Sequence, residues 1–170
     1  MMEEHRVATR PKLLLIGQAP GRGGDGQQAL SGRAAALLAN MAGIPREELL
    51  RRFDRHNLLD RWPGKSPAGK GDIFPASAAR DAADRIKRTL RRRGVTFAGP
   101  TVLLVGKAVA RAFGLRRPEY LTWYPGFEWC LKGAVIPHPS GINRWWNSSR
   151  NRRRASRFLK QILRKGQRHG

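Results

Sequence analysis

Two polar turns carry the side chains best suited to contact a ligand. The first, residues 17–21 (Gly-Gln-Ala-Pro-Gly), follows the apolar run 13–16, and the second, residues 137–141 (Pro-His-Pro-Ser-Gly), follows the apolar run 134–136. An apolar run that meets glycine or proline at once predicts a buried strand ending in a tight turn. Because ligands of open α/β sheets bind outside the carboxyl ends of the strands, we expect both turns to face one site.

The segments around these turns alternate as in an α/β fold. Ser31 is predicted to cap a helix, and residues 60–75 form a loop of a length that is more often functional or mobile than inert. The aromatic segment 123–129 predicts a turn or an edge hairpin. The alternation indicates a parallel sheet with helices on both faces, in a single domain with flexible ends at 1–11 and 165–170. The predicted strands are 12–17, 56–59, 100–106 and 134–136, and the predicted helices are 32–42, 45–54, 77–93, 107–113 and 148–163.

The charge of the chain favours an anionic partner. Its 170 residues include 34 Lys and Arg against 12 Asp and Glu, which gives a formal net charge of +22. Arginine pairs with phosphates and releases condensed counterions, so we interpret the excess as the signature of a nucleic-acid-binding protein. A solvated basic surface is the alternative. Binding to a membrane surface is disfavoured, because the most basic stretches carry Gly, Ser and Asn in place of a continuous apolar face.

Cysteine content and hydropathy further restrict the class of protein that this sequence can encode. Cys130 is the single cysteine, which excludes an intramolecular disulfide and an all-cysteine metal or iron–sulfur site within the chain, and we interpret it as a core residue. No apolar run approaches the roughly 18 residues of a membrane span, and the amino terminus lacks the apolar core of a secretory signal. We therefore expect a soluble protein in the reducing cytoplasm. We also expect a monomer with no metal or organic cofactor.

Four motifs, taken in order, resemble the uracil-DNA glycosylase superfamily. They are residues 17–21, 30–34 (Leu-Ser-Gly-Arg-Ala), 102–106 (Val-Leu-Leu-Val-Gly) and 138–140 (His-Pro-Ser). The nearest branch is the iron–sulfur group, whose first motif reads Gly-Glu-Ala-Pro-Gly, although its cluster cysteines are absent here. The resemblance spans residues 13 to about 163 and implies a three-layer α/β/α sandwich with a four-stranded parallel sheet. It also implies an enzyme that flips a nucleotide out of duplex DNA and cleaves its glycosidic bond.

The resemblance assigns catalytic roles. Breaking a C–N glycosidic bond places positive charge on the sugar and negative charge on the departing base, so the site needs a donor to the base and a positioned water. His138 resembles the family histidine that donates to the pyrimidine O2, the alternative being a structural histidine. Where relatives carry an acid or an asparagine to orient the water, this sequence has Gln18 and Ala19. Asp25 is the nearest acid, with a turn role as its alternative, so we expect a slower or differently assisted enzyme.

The resemblance implies a base pocket whose side chains are smaller here than in the related enzymes. Leu30 stands where the iron–sulfur branch stacks an aromatic residue on uracil, and Gly21 stands where prototypical uracil enzymes carry a bulky tyrosine. Ala19 lies in the same turn. Asn57 aligns with the asparagine that reads the pyrimidine edge through a paired donor and acceptor, or else it caps a turn. A wider pocket follows as a hypothesis.

The same resemblance indicates the residues that contact DNA. Ile142 or Arg144 would be the wedge that fills the gap left by the flipped base. Arg150 and Arg153 would lie along the duplex, with a solvated helix face as the alternative. The residues expected to clamp the phosphates beside the flipped nucleotide are Ser31, Ser140 and, at a helix amino terminus, Lys107.

The sequence therefore predicts a monofunctional DNA glycosylase acting on double-stranded DNA. It would excise uracil or a bulkier modified pyrimidine and leave an abasic site, in repair or in defence against viral DNA that carries modified cytosine. The alternative is a non-catalytic DNA-binding module with a degenerate site, against which the presence of His138 argues. An enzyme acting on free nucleotides is disfavoured, because a small anionic substrate needs only a local basic pocket rather than a net charge of +22.

Overall fold

The computed structural model describes residues 13–24, 28–69, 71–92, 101–127, 130–140 and 143–165. Within these ranges the chain forms five strands, five α-helices and a short 3-10 helix at Arg144–Asn147. In chain order the elements are β1 (Leu13–Gly17), α1 (Arg33–Ala42), α2 (Arg46–Arg52), β2 (Phe53–Asn57), α3 (Ala76–Arg92), β3 (Thr101–Val105), α4 (Lys107–Ala112), β4 (Trp123–Phe127), β5 (Cys130–Ile136) and α5 (Ser149–Lys165).

The described strands form one mixed sheet in the order β2-β1-β3-β5-β4. The first four run parallel to their neighbours, and β4 joins the edge antiparallel to β5, with Trp123 opposite Ala134. The predicted α/β class is confirmed, whereas the predicted four-stranded parallel sheet is wrong because it lacks this edge strand. An antiparallel neighbour needs only a tight connection, so β4 adds to the sheet without a crossover helix.

The core lies on both faces of the sheet. Leu15 and Leu103 belong to a cluster with side chains of α1, α2 and α5, whereas Ile16 and Leu104 belong to a second cluster with α3 and α4. Successive side chains of a strand point to opposite faces, so the two clusters lie on opposite sides of the sheet and the fold has three layers. The continuous burial along β1 and β3 is the pattern of parallel strands covered on both faces.

The strand register brings the carboxyl ends of the parallel strands to one edge. Gly17, the last residue of β1, pairs with Asn57, the last residue of β2. Val105 pairs in the same way with Ile136 at the ends of β3 and β5. The turns that follow these strands therefore open on the same side of the sheet, as the sequence predicted for the turns at 17–21 and 137–141.

Two predicted boundaries are wrong around β2 and α1. β2 begins at Phe53, inside the predicted helix 45–54, because Phe53 is buried and pairs with Leu13 of β1. α1 begins at Arg33 with Gly32 as its N-cap, and no side chain caps it, so the prediction for Ser31 is wrong. Gly32 has φ 69° and ψ −136°, a backbone conformation that glycine accommodates and that ends the preceding turn at this point.

The remaining helices agree with the sequence. The predicted helices 77–93, 107–113 and 148–163 correspond to α3, α4 and α5 within about two residues, as helix ends commonly vary. The predicted flexible ends lie outside the described residues, except that α5 extends to Lys165. In the part of the chain that the structure describes, no helix combines the length and the apolarity needed to span a membrane.

Candidate active site

A cleft of about 590 Å³ opens at the carboxyl edge of the sheet, where the turns after β1, β2 and β5 meet. This volume lies within the range of ligand pockets, roughly 300–1,000 Å³. The two polar turns therefore face one cleft. The predicted site residues that line it are Gln18, Ala19, Gly21, Leu30, Ser31, Asn57, His138 and Ser140.

The main chain of His138 is held by three hydrogen bonds to one carbonyl. His138 O accepts from the indole Nε1–H of Trp146 at 2.8 Å, from Nδ2 of Asn143 at 3.1 Å and from the backbone N–H of Ser140 at 2.9 Å. Asn143 itself is fixed, because its Oδ1 accepts from the backbone N–H of Trp145 at 3.1 Å. With prolines on both sides of His138 restricting φ, the imidazole is presented from a rigid turn.

Burial sets the protonation state of His138. Desolvation lowers the pKa of its imidazole from the usual 6.5, and the nearby charge of Asp72 opposes part of this effect. The side chain is therefore neutral at pH 7, with one ring nitrogen donating and the other accepting. A neutral imidazole in the cleft can donate a hydrogen bond to an oxygen that gains negative charge.

The turn after β1 is pinned to the turn after β2. Gly17 O accepts from the N–H of Leu58, and Gln18 O accepts from the N–H of Leu59, both at 2.9 Å. A Cβ at position 17 would lie 3.0 Å from the Asn57 Oδ1 and 3.0 Å from the Ala29 Cβ, so a larger residue would have to push these neighbours aside. This close approach brings Gln18 and Asn57 to the same cleft.

Leu30 lines the cleft in a strained backbone conformation. Its φ is 57°, which a branched side chain adopts at a cost of about 1–3 kcal/mol. The loop is held from β2, because the Arg55 guanidinium donates to Ala29 O at 3.1 Å and to Gln28 Oε1 at 2.6 Å. Desolvation, with a smaller contribution from Arg46, lowers the pKa of Arg55. The strain at Leu30 is thus maintained by bonds on its amino-terminal side, and it directs Leu30 and Ser31 to the cleft.

A short hairpin formed by residues 64–69 and 71–73, in the loop between β2 and α3, brings side chains to the cleft that sequence reasoning missed. Lys65 and Asp72 bridge the hairpin in backbone pairing and form an ion pair of 3.0 Å, and both line the cleft. Arg22 also lines it and stacks over the Trp62 ring at 5.9 Å. The length of the loop was the available signal, but nothing local marked Asp72. Asn143, which also lines the cleft, was likewise overlooked in favour of its neighbours.

The other predicted site residues lie elsewhere. Lys107 begins α4 and places its Nζ over the Tyr120 ring at 5.0 Å. Arg144 is exposed in the 3-10 helix directly after Asn143, and Arg150 and Arg153 are exposed in the first turns of α5. These four cations are not among the described residues that line the cleft. The predicted roles of Asp25 and Ile142 concern positions outside the described residues.

The described residues hold no group of three His, Cys, Asp or Glu side chains arranged to bind a metal ion. An iron–sulfur cluster held by four thiolates does not fit this chain either, since Cys130 is its single cysteine. The described lining of the cleft supplies an imidazole, amides, hydroxyls, the Arg22 guanidinium and the Asp72–Lys65 pair.

Fold and cleft together define an α/β protein with a ligand site at the carboxyl edge of its parallel strands. The family model of the uracil DNA glycosylase superfamily matches residues 5–164, and the chain belongs to this superfamily. No curated protein sequence matches the chain. Membership indicates a DNA glycosylase-type function with DNA as the partner, which agrees with the net charge of +22.

Proposed function

We propose that this protein is a monofunctional DNA glycosylase that flips a pyrimidine nucleotide into the cleft, cleaves its N-glycosidic bond and leaves an abasic site. The observation that carries the proposal is the meeting of the Gln18 turn and the His138 turn in one cleft of about 590 Å³. Asn57 lies in the same cleft with an amide that can pair with a pyrimidine edge.

In this proposal His138 acts as the electrophile. As the glycosidic bond breaks, negative charge collects on the base oxygen, and a preorganised donor in a desolvated site stabilises it more than water does. The neutral imidazole suits this task, because burial lowers its pKa and the turn that carries it is fixed by Trp146 and Asn143. Gln18 would hold the attacking water as a neutral amide.

Basic and hydroxyl side chains around the cleft would bind the duplex. Ser31 and Ser140 line the cleft and would contact the phosphates of the flipped nucleotide. Arg144, Arg150 and Arg153 are exposed along the 3-10 helix and the start of α5, where they would follow the backbone of the duplex. We retain Lys107 as a phosphate contact, together with Asp25 as a water-positioning candidate and Ile142 as a wedge candidate.

The rim of the cleft favours a base larger than uracil. Gly21 is exposed and a Cβ at this position meets no atom within 4 Å, so the cleft is open where the prototypical enzymes carry a tyrosine. Leu30 presents an aliphatic side chain where the related branch has an aromatic ring. We propose a modified pyrimidine as the substrate, including modified cytosine of viral DNA, which would make the enzyme a defence factor.

The proposal is tested on duplexes carrying uracil, hydroxymethylated pyrimidines or glucosylated cytosine, with an unmodified duplex as the negative control. Alkali cleavage counts abasic sites, and mass analysis identifies the released base. We expect release of at least one base, its loss in His138→Ala, and wild-type release in His56→Ala. His56 is a matched control because it is an exposed histidine on β2 that is not among the described residues lining the cleft. Tight DNA binding without release of any base would instead favour the non-catalytic module.

A further inference from the structure

Asp72 brings a carboxylate into the cleft from the hairpin formed by residues 64–69 and 71–73. Its Oδ1 lies 3.0 Å from the Lys65 Nζ, and the backbone pairing of the two residues sets the position of both. The Asp72 side chain is 38% exposed, so water reaches it in the open cleft. The charge of Asp72 is also felt at His138, where it opposes the effect of burial on the pKa, so the two side chains act within one electrostatic environment.

The proposed reaction calls for a negative charge in this cleft. Positive charge develops on the sugar as the base departs, and the attacking water must lose a proton. Gln18 can orient a water through its amide oxygen, but an amide does not take up a proton at neutral pH. Asp72 is the one carboxylate among the described residues that line the cleft.

Resting on the glycosylase function proposed above, we propose that Asp72 is a catalytic carboxylate that binds the attacking water and stabilises the positive charge of the sugar. The water oxygen forms a bond to C1′ while the C1′–N bond breaks, and the electron pair of that bond leaves with the base. His138 donates a hydrogen bond to the base oxygen as the charge arrives. The proton of the water passes to the Asp72 carboxylate and from there to solvent, and the base anion takes a proton from solvent.

The ion pair with Lys65 allows the chemistry of Asp72 to be separated from its part in the hairpin. Asp72→Asn and Lys65→Met both break the pair of 3.0 Å, but only the first removes the carboxylate. Asp84→Asn is the matched control, since Asp84 forms a similar pair with Lys87 at 2.7 Å on α3. Asp72→Glu restores a carboxylate to the site.

The experiment measures single-turnover base release and the Kd for a duplex containing an abasic site. Loss of a general base lowers rates by roughly 100- to 10,000-fold, and we expect a fall of this size in Asp72→Asn. Its Kd should stay unchanged or tighten, since a negative charge has been removed near the phosphates. Lys65→Met should lose far less rate and bind DNA more weakly, Asp72→Glu should recover part of the rate, and Asp84→Asn should match the wild type.

A wild-type rate in Asp72→Asn would overturn the inference and leave the glycosylase function intact. Equal losses in Asp72→Asn and Lys65→Met, with no recovery in Asp72→Glu, would assign Asp72 to the structure of the hairpin and would also overturn it. Failure of the wild-type protein to release any base would overturn the glycosylase function itself, and the role of Asp72 with it. The wild-type reaction thus separates the two failures.

Discussion

Replacing Gly21 with tyrosine tests whether the open rim of the cleft decides which base is accepted. A Cβ at this position meets no atom within 4 Å, and the φ of Gly21 lies outside the left-handed range. The substitution therefore adds bulk at the cleft without backbone strain, and its Cβ meets open space. Gly21→Ala is the matched control, because it makes the same change of backbone freedom and adds no ring.

The expected loss of rate follows from the free-energy cost of crowding the base in the cleft. Forcing extra atoms into an occupied site costs about 1–3 kcal/mol. In a transition state this corresponds to a rate lowered roughly 5- to 150-fold for a bulky base. A base that does not reach the rim meets the new ring as a surface substitution, which changes free energies by at most about 0.5 kcal/mol. Its release should therefore stay within about twofold of the wild-type rate.

The assay compares single-turnover rates on a uracil duplex and on a glucosylated-cytosine duplex. We expect Gly21→Tyr to change the ratio of the two rates in favour of uracil, and Gly21→Ala to leave it unchanged. Equal slowing on both duplexes would show that the tyrosine disturbs the turn rather than the fit of the base. An unchanged ratio with unchanged rates would refute the argument that Gly21 borders the base.

Three further predictions concern the histidine turn and the basic face. Burial lowers the pKa of His138 below the usual 6.5, and the active form of its imidazole is neutral. A pH–rate profile should therefore show a base-release rate that is flat above pH 6.5 and falls only at lower pH. Asn143→Ala removes a bond of 3.1 Å to His138 O, so it should lower the free energy of unfolding by about 1–2 kcal/mol in denaturant titrations and slow base release. Arg150→Gln and Arg153→Gln should each reduce the slope of log Kd against log salt by about 1, whereas Arg85→Gln on α3 should not.

The parts of the fold that the sequence predicts are those with local signals. β1 and β3 are continuous apolar runs because both of their faces are buried, and each run ends at a glycine. The turn at 137–141 could be identified because its prolines and its position after an apolar run are visible in the sequence. Helix α3 was predicted because apolar residues recur at helical spacing along a basic segment of the sequence.

The parts that were missed, left open or given wrong bounds depend on contacts between distant segments. β2 was predicted at 56–59 but runs from Phe53 to Asn57, because its pairing with β1, and not its one buried residue in five, sets its bounds. β4 lies in the segment 123–129, for which the sequence left a turn or an edge hairpin open, and its pairing with β5 makes it the edge strand. Asp72 enters the cleft because Lys65 and Asp72 pair across a hairpin, and no local sequence pattern predicts this pairing. Leu30 adopts a positive φ that its side chain disfavours and that bonds from β2 sustain.

The most direct test of the central claim is a count of free base against abasic sites when excess protein acts on one modified duplex. A DNA glycosylase with the His138 turn and the Gln18 turn in one cleft should release one free base for every abasic site formed. Binding of the duplex with neither free base nor abasic sites on any modified pyrimidine would contradict the claim.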